Sequence, residues 1–133
     1  MKAAVISLTE NGRVLSAEIK KSFSDLADVQ RYCFAKHTDG DAAEFGSVSS
    51  LVGDIFRKMD ALIFVCACGI AVRAIATFIR SKTADPAVIV IDEKGRYVIP
   101  VLSGHIGGAN RFAEIIAGKL GAVAAVTTAT DTG

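Results

Sequence analysis

The segment Val88-Ile-Val-Ile-Asp-Glu-Lys-Gly-Arg-Tyr-Val-Ile-Pro-Val-Leu102 decides the fold of this chain. It contains two strongly apolar runs, residues 88–91 and 97–102, which are separated only by the polar, turn-forming residues 92–96. A connection this short cannot hold a crossover helix, so the two runs are predicted to pair as an antiparallel hairpin.

Outward from this hairpin, apolar runs alternate with amphipathic stretches. The run 61–65 is continuously apolar, which is typical of a central parallel strand covered on both faces. Further strands are predicted where short apolar runs recur, at residues 3–8, 27–34 and 122–127. Helices are predicted where apolar residues recur at helical spacing, at residues 15–23, 51–59, 71–79 and 109–120. Residues 37–46 are polar and turn-rich and are predicted to form a loop.

The resulting order, β-α-β-α-β-α-β-β-α-β, predicts an α/β fold. We expect a three-layer sandwich whose mainly parallel sheet contains one antiparallel hairpin, of the Rossmann-like or flavodoxin-like kind. A chain of 133 residues suits a single domain, residues 1–133. It is too short for a barrel enzyme of about 250 residues.

The composition excludes several classes of protein. With 51% hydrophobic and 22% charged residues, the chain is not intrinsically disordered. A formal net charge of +1 gives no general attraction to nucleic acid or acidic membranes. No apolar stretch reaches the roughly 20 residues of a membrane span, and no signal peptide is recognised. Three cysteines do not suggest a disulfide scaffold, so a reducing, cytoplasmic location is expected.

The hairpin also allows the direction of the later elements to be counted. Residues 82–86 precede its first strand, and the chain returns to the same side at residue 103. After one more helix and strand, it returns there again at residues 127–131. These three segments are therefore predicted to share one edge of the sheet. Residues 66–69 are predicted to lie at the opposite edge, beside the hairpin tip.

The segment Ser103-Gly-His-Ile-Gly-Gly-Ala-Asn110, called the glycine turn below, carries most of the candidate chemistry. Its glycines allow positive φ angles and close backbone approach, and the free amides of the following helix can hold an anion. It matches neither the dinucleotide-binding fingerprint nor the P-loop. The pattern favours a carboxylate or phosphate site; the alternative is a tight turn with a hydrogen-bonded surface histidine.

Two other segments at this edge carry polar side chains. Thr127-Thr-Ala-Thr-Asp131 offers three hydroxyls and a carboxylate, and Lys82-Thr-Ala-Asp-Pro86 offers a cation and a carboxylate. Such residues at strand ends often face ligands in open α/β sheets. A capped β-turn and a solvated turn are the plain alternatives. A carboxylate beside His105 would orient the imidazole as a general base.

Outside this edge the signals are weaker. Cys66 and Cys68 lack the spacing of zinc or redox motifs and are expected to be buried thiols. His37 is expected to be solvated. Arg73 is expected either to reach solvent or to bind an anion beyond Gly69. No metal-binding cluster is predicted.

Four blocks of sequence, in this order, resemble the N-terminal region of the CbiG family of cobalamin biosynthesis proteins. They are Cys68-Gly-Ile-Ala-Val-Arg73, the pattern Lys82-x-x-Asp-Pro-Ala-Val88, the glycine turn and Thr127-Thr-Ala-Thr-Asp131. The family comprises the cobalt-precorrin-5A hydrolases of the anaerobic pathway. Its members are usually longer, with a C-terminal domain that we expect this chain to lack.

The resemblance implies hydrolysis of a cobalt-containing corrinoid, in which the ring lactone opens and acetaldehyde is released. The cobalt belongs to the substrate, so neither a cofactor nor a metal site is expected. His105 is the expected catalytic base with Asp131 as its partner, and the amides of Gly107 and Gly108 are the expected anion donors. The expected substrate-binding residues are Lys82, Asp85, Ser103, Gly104, Gly107, Gly108, Asn110, Thr127, Thr128, Thr130 and Arg73.

Three functional classes remain open at this point. The chain is the hydrolase or its N-terminal part, a non-catalytic corrinoid-binding module whose chemistry lies in an absent domain, or an unrelated nucleotide-binding domain. The missing nucleotide fingerprints count against the third class. The expected partners are a corrinoid substrate and the C-terminal domain or a separate subunit, and neither nucleic acid nor a membrane.

Overall fold

A computed structural model describes residues 1–104 and 107–129. The strands are β1 (Lys2–Ser7), β2 (Asp28–Phe34), β3 (Ala43–Phe45), β4 (Ala61–Val65), β5 (Ala87–Ile91), β6 (Tyr97–Leu102) and β7 (Val123–Ala124). The helices are α1 (Glu10–Phe23), α2 (Val48–Ile55), α3 (Cys68–Ile75) and α4 (Ala109–Leu120), and a 3-10 helix (Ala76–Phe78) follows α3. None of the helices in the described ranges is long and apolar enough to cross a membrane.

The strands form one seven-stranded sheet in the order β3-β2-β1-β4-β5-β6-β7. The β5–β6 pair is antiparallel, and the other neighbouring pairs are parallel. The hairpin turns where the sequence predicts it. The Asp92 carboxylate accepts the amides of Arg96 at 2.9 Å and Tyr97 at 2.7 Å, and Gly95 has a φ of 67°, a conformation that favours glycine. The predicted α/β fold with one antiparallel hairpin is confirmed.

Helices cover the sheet on both faces and create two apolar cores. Helices α1 and α4 pack on one face, which we call the α1–α4 face. Helices α2 and α3 pack on the other, which we call the α2–α3 face. Every residue of β4 and β5 is buried, because these central strands are covered on both sides.

Several predicted boundaries need correction. The predicted loop 37–46 contains β3, which pairs with the end of β2 and buries Phe45 in the core. Phe45 was the one large apolar indication of a strand in this segment, and the polar residues around it led to the prediction of a loop. The last strand covers only Val123–Ala124 rather than 122–127. The third helix, predicted at residues 71–79, is α-helical only as far as Ile75 and is followed by the 3-10 helix Ala76–Phe78. The apolar spacing that predicted one helix continues through both.

A buried cation fastens the loop before β3 to the sheet. The Arg31 side chain, on β2, is only 3% exposed and donates hydrogen bonds to Asp39 at 2.8 and 2.9 Å. It also donates to the Ser16 hydroxyl on α1, at 2.9 and 3.0 Å. The hydrogen bonds from Arg31 hold the pKa of the Asp39 carboxyl at about 2, below its ordinary 3.8. No sequence motif predicted this network.

Candidate functional site

The glycine turn joins β6 to α4 through a crowded backbone. Ser103 has a φ of 57°, a left-handed conformation that is uncommon for residues other than glycine. A Cβ atom at Gly107 would lie 2.5 Å from the Ser103 Cβ and 2.8 Å from the Ser103 carbonyl oxygen. Gly108 has a φ of 83° and is the N-cap of α4. The turn shows both properties for which its glycines were predicted, with close approach at Gly107 and positive φ at Gly108.

The first amides of α4 are bonded within the turn itself. The Ala109 amide donates to the Ser103 carbonyl at 3.2 Å, and the Asn110 amide donates to the Gly104 carbonyl at 2.9 Å. Within the part of the chain that the structure describes, no backbone acceptor is found for the amides of Gly107 and Gly108. These two amides are the ones predicted to donate to an anion.

The segment 82–86 lies directly beside the glycine turn. The Ser103 hydroxyl donates to the backbone carbonyl of Asp85 at 3.3 Å. The Asp85 side chain is only 1% exposed and accepts from Arg57 Nη1 at 2.8 Å. Both of its oxygens also accept the Arg80 amide, at 3.0 and 2.9 Å. The Asp85 carboxylate is therefore bonded inside the protein, whereas the nearby Lys82 is exposed.

Arg57 anchors the loop that contains Asp85, and it was not identified as a site residue from the sequence. Besides the Asp85 carboxylate, it donates to the carbonyls of Ala84, at 3.1 Å, and Phe78. It follows the apolar stripe of α2 and belongs to none of the four sequence blocks, so no signal in one sequence marked it. Its guanidinium holds both ends of the loop between the 3-10 helix and β5.

Residues 127–129, at the end of the described chain, contact the glycine turn through the side chain of Asn110. Asn110, which is 6% exposed, donates from Nδ2 to the Thr128 hydroxyl at 2.7 Å. Because β7 runs parallel to β6, the two strands deliver the glycine turn and residues 127–129 to the same edge. The predicted convergence of the three segments is confirmed for their described residues.

Three of the predicted site residues, His105, Thr130 and Asp131, lie outside the described residues. Hydrogen bonds link Ser103 with Asp85, and Asn110 with both Gly104 and Thr128. Lys82 and Thr127 lie in the segments that these bonds join. Arg73 stands apart from this group. It lies exposed in the last turn of α3, and no contact between it and the glycine turn is found among the described residues.

The opposite edge holds the cysteines, as predicted, and also a cleft of about 490 Å³. The cleft is lined by Leu8, Thr9, Cys66, Ala67, Ile70, Asp92, Glu93 and Lys94. Burial raises the pKa of the Cys66 thiol to about 11. The prediction that both thiols are buried is wrong for Cys68, which is exposed at the start of α3. No group of three or more His, Cys, Asp or Glu side chains that could hold a metal occurs in the described ranges.

Residues 50–131 match the family described as Cobalamin synthesis G N-terminal, which is more than half of the chain. The chain belongs to the CbiG family. A curated cobalt-precorrin-5A hydrolase from Priestia megaterium is 40% identical over 134 residues, covering 96% of this CbiG chain and 35% of the relative. The cobalt-precorrin-5A hydrolase of Salmonella typhimurium is 50% identical over 86 residues, covering 65% and 24% respectively.

A solved structure supports the same family. The crystal structure of a cobalamin biosynthesis protein G homolog from Sulfolobus solfataricus superposes with a TM-score of 0.76 at 31% identity. The superposition covers 95% of this CbiG chain and 36% of the homolog. The chain thus spans about a third of the length of the Priestia megaterium relative and of this homolog.

Proposed function

We propose that residues 1–133 are the N-terminal domain of a cobalt-precorrin-5A hydrolase of anaerobic cobalamin biosynthesis. The supporting observation is the 40% identity, over nearly the whole chain, to a curated relative of that name. In this role the domain takes part in opening the ring lactone of a cobalt-corrinoid and releasing a two-carbon unit as acetaldehyde. The cobalt arrives with the substrate, so the domain requires no cofactor of its own.

The glycine turn is the proposed binding site for a carboxylate of the substrate. Corrinoid intermediates carry several acetate and propionate groups, and an anion is stabilised by backbone amides at the start of a helix. The amides of Gly107 and Gly108 would donate to one such group, and the exposed Lys82 would add a charge-assisted hydrogen bond. The close packing of Ser103 on Gly107 supports a turn that is rigid before the substrate arrives.

His105 is the proposed general base. It would take a proton from the water that adds to the lactone carbonyl, while Asp131 orients its imidazole. Asn110 supports this arrangement, because its bond to Thr128 holds the chain two residues before Thr130 against the turn.

The remaining predicted residues divide into two groups. Asp85 would act by holding the segment 82–86 in place, because its carboxylate is bonded to Arg57 and the Arg80 amide. Ser103, Gly104, Thr127, Thr128, Thr130 and Arg73 remain proposed contacts of the substrate. We also propose a cytoplasmic location, which the three free cysteines support, since a reducing compartment keeps thiols free.

A second candidate function is a corrinoid-binding module without its own catalysis. The observation that favours it is the share of the relatives that the chain spans, 35% in the Priestia megaterium hydrolase. The base or the water-binding groups would then lie in the other two thirds of the hydrolase.

Acetaldehyde release from cobalt-precorrin-5A tests the proposal and separates the two candidates. The 133-residue chain is assayed alone and together with the part of the Priestia megaterium relative that lies outside the match. Acetaldehyde is detected through alcohol dehydrogenase and NADH, and corrinoid binding through the visible absorbance of the ring. Release in the combined sample supports the proposed function, and loss of that release when this chain carries His105→Ala supports catalysis by the domain itself. Release that survives His105→Ala supports the binding module, and absence of both binding and release contradicts the proposed function.

A further inference from the structure

One face of the sheet is bare at β6 and β7. Helix α4 packs on these strands from the α1–α4 face. On the α2–α3 face, no helix of the described ranges makes extensive contact with either strand. Tyr97 and Val123 lie side by side there in the parallel register, and they are 50% and 59% exposed.

The side chains of β6 on this bare face are apolar, whereas a strand face in contact with water usually carries polar residues. Val98 and Pro100 of β6 point into the α1–α4 face and are buried. The alternate residues, Ile99 and Val101, point to the other face and are apolar and half-buried, and Val101 packs against the edge of the α2–α3 core. An outer strand with one face in water normally alternates apolar and polar residues. The pattern of β6 is that of a strand covered on both faces.

The relatives show how much polypeptide is available to cover it. The Priestia megaterium hydrolase and the Sulfolobus solfataricus homolog each have about two thirds of their chain outside the matched region, since the matches cover 35% and 36% of them. An exposed apolar face of this kind marks an interaction site.

We propose that the bare face, formed by Tyr97, Ile99 and Val123, docks an apolar surface of the rest of the hydrolase chain. The proposal rests on membership of the CbiG family and not on the proposed reaction. It places the docked body at β6 and β7, whose carboxyl ends carry the glycine turn and Thr128. A body seated there borders the candidate site and is positioned to contribute groups to it.

Co-expression tests the docking surface. The 133-residue chain carries an affinity tag and is expressed with the outlying part of the Priestia megaterium hydrolase. The wild-type pair is expected to co-purify, and the double substitution Tyr97→Ser with Val123→Ser is expected to weaken binding at least tenfold. The matched control is Val14→Ser, since Val14 is 51% exposed on α1, on the other face of the sheet. Equal binding by all three, or a soluble partner that binds none of them, overturns the proposal.

A single-chain measurement covers the case in which the separate partner does not fold. The two parts are fused, and Val123→Cys or Val14→Cys is introduced with Cys68→Ser, because Cys68 is the exposed native thiol. Maleimide labelling at position 123 is expected to slow at least tenfold on fusion, while labelling at position 14 stays unchanged. Unchanged labelling at position 123 overturns the proposal. So does a dimer of the unfused chain that the double substitution converts to a monomer, because the occupant is then a second copy.

Discussion

Asn110 donates a hydrogen bond from Nδ2 to the Thr128 hydroxyl across 2.7 Å, and this bond joins two segments that follow different strands. Asn110 opens α4 at the end of the glycine turn, whereas Thr128 follows β7. The bond crosses the edge at which the sequence places its candidate chemistry. The geometry of the candidate site therefore depends on an amide side chain as well as on the backbone.

Asn110→Ala is expected to destabilise the domain by about 1–3 kcal/mol. Asn110 is 6% exposed, and its loss removes the donor that is bonded to the part-buried Thr128 hydroxyl. Chemical unfolding followed by circular dichroism measures the effect. Asn11→Ala, at an exposed position of α1, is the control and should change the unfolding free energy by about 0.5 kcal/mol or less. Equal effects of the two substitutions would contradict the role of Asn110.

Two glycines, Gly107 in the glycine turn and Gly118 near the end of α4, should respond to alanine in opposite directions. Gly107→Ala is expected to destabilise by roughly 1–3 kcal/mol, because its Cβ would lie 2.5 Å from the Ser103 Cβ. Gly118→Ala is expected to stabilise α4 by about 0.5–1 kcal/mol, because nothing lies within 4 Å of its added Cβ. Thermal and urea unfolding of both variants compare them directly. An unchanged unfolding free energy of Gly107→Ala would contradict the close packing of Ser103 against Gly107.

Asp85→Asn is expected to cost about 2–3 kcal/mol of stability. The substitution removes the negative charge that accepts from Arg57 at 2.8 Å, within a side chain that is 1% exposed. The exposed Asp54 on α2 provides the control, Asp54→Asn. Hydrogen exchange should also accelerate at Arg80, whose amide donates to the Asp85 carboxylate. Unchanged exchange there would mean that Asp85 does not hold the loop.

The Asp39–Arg31 ion pair is expected to make stability depend on acid pH. The pKa of Asp39 is about 2 in the folded protein and 3.8 ordinarily. Because the folded value is the lower one, the pair contributes its full stability above pH 3.8 and loses it as the pH falls toward about 2. The difference in unfolding free energy between wild type and Asp39→Asn should therefore shrink over that window. A constant Asp39→Asn difference across that window would refute the linkage.

The architecture could be predicted because its signals are local. Continuous apolar runs predict β4 and β5, and the short connection at 92–96 predicts the antiparallel pair. Directions along a sheet follow from connection lengths alone, so the convergence of distant segments was also predictable. β3 was missed because three residues in a polar stretch carry too little periodicity.

The polar contacts could not be predicted because they join residues far apart in sequence. Arg57 and Asp85 are 28 residues apart, and nothing in the composition of α2 indicates that an arginine after its apolar stripe reaches a buried carboxylate. The left-handed φ of Ser103 was unpredictable for a related reason. It belongs to the folded turn, in which Ser103 lies close to Gly107, whereas serine by itself favours ordinary conformations.

His105→Ala is expected to lower kcat of the complete hydrolase by roughly 10²–10⁴-fold, the usual contribution of a general base. The stability of the domain should change by about 0.5 kcal/mol or less if His105 does not support the fold. Acetaldehyde release and chemical unfolding are measured on the same preparations. His37→Ala, in the loop before β3, is the matched histidine control and should leave kcat unchanged.

Measuring kcat and KM separately distinguishes a base from a binding group. A base acts in the transition state, so its loss lowers kcat and leaves KM nearly unchanged. A carboxylate-binding group holds the substrate before and during the reaction, so its loss raises KM instead. Lys82→Ala is expected to show this second behaviour, because Lys82 is exposed beside the glycine turn and is proposed to bind a carboxylate. If His105→Ala raises KM while kcat stays near wild type, His105 is a binding residue, and the base must come from the rest of the hydrolase.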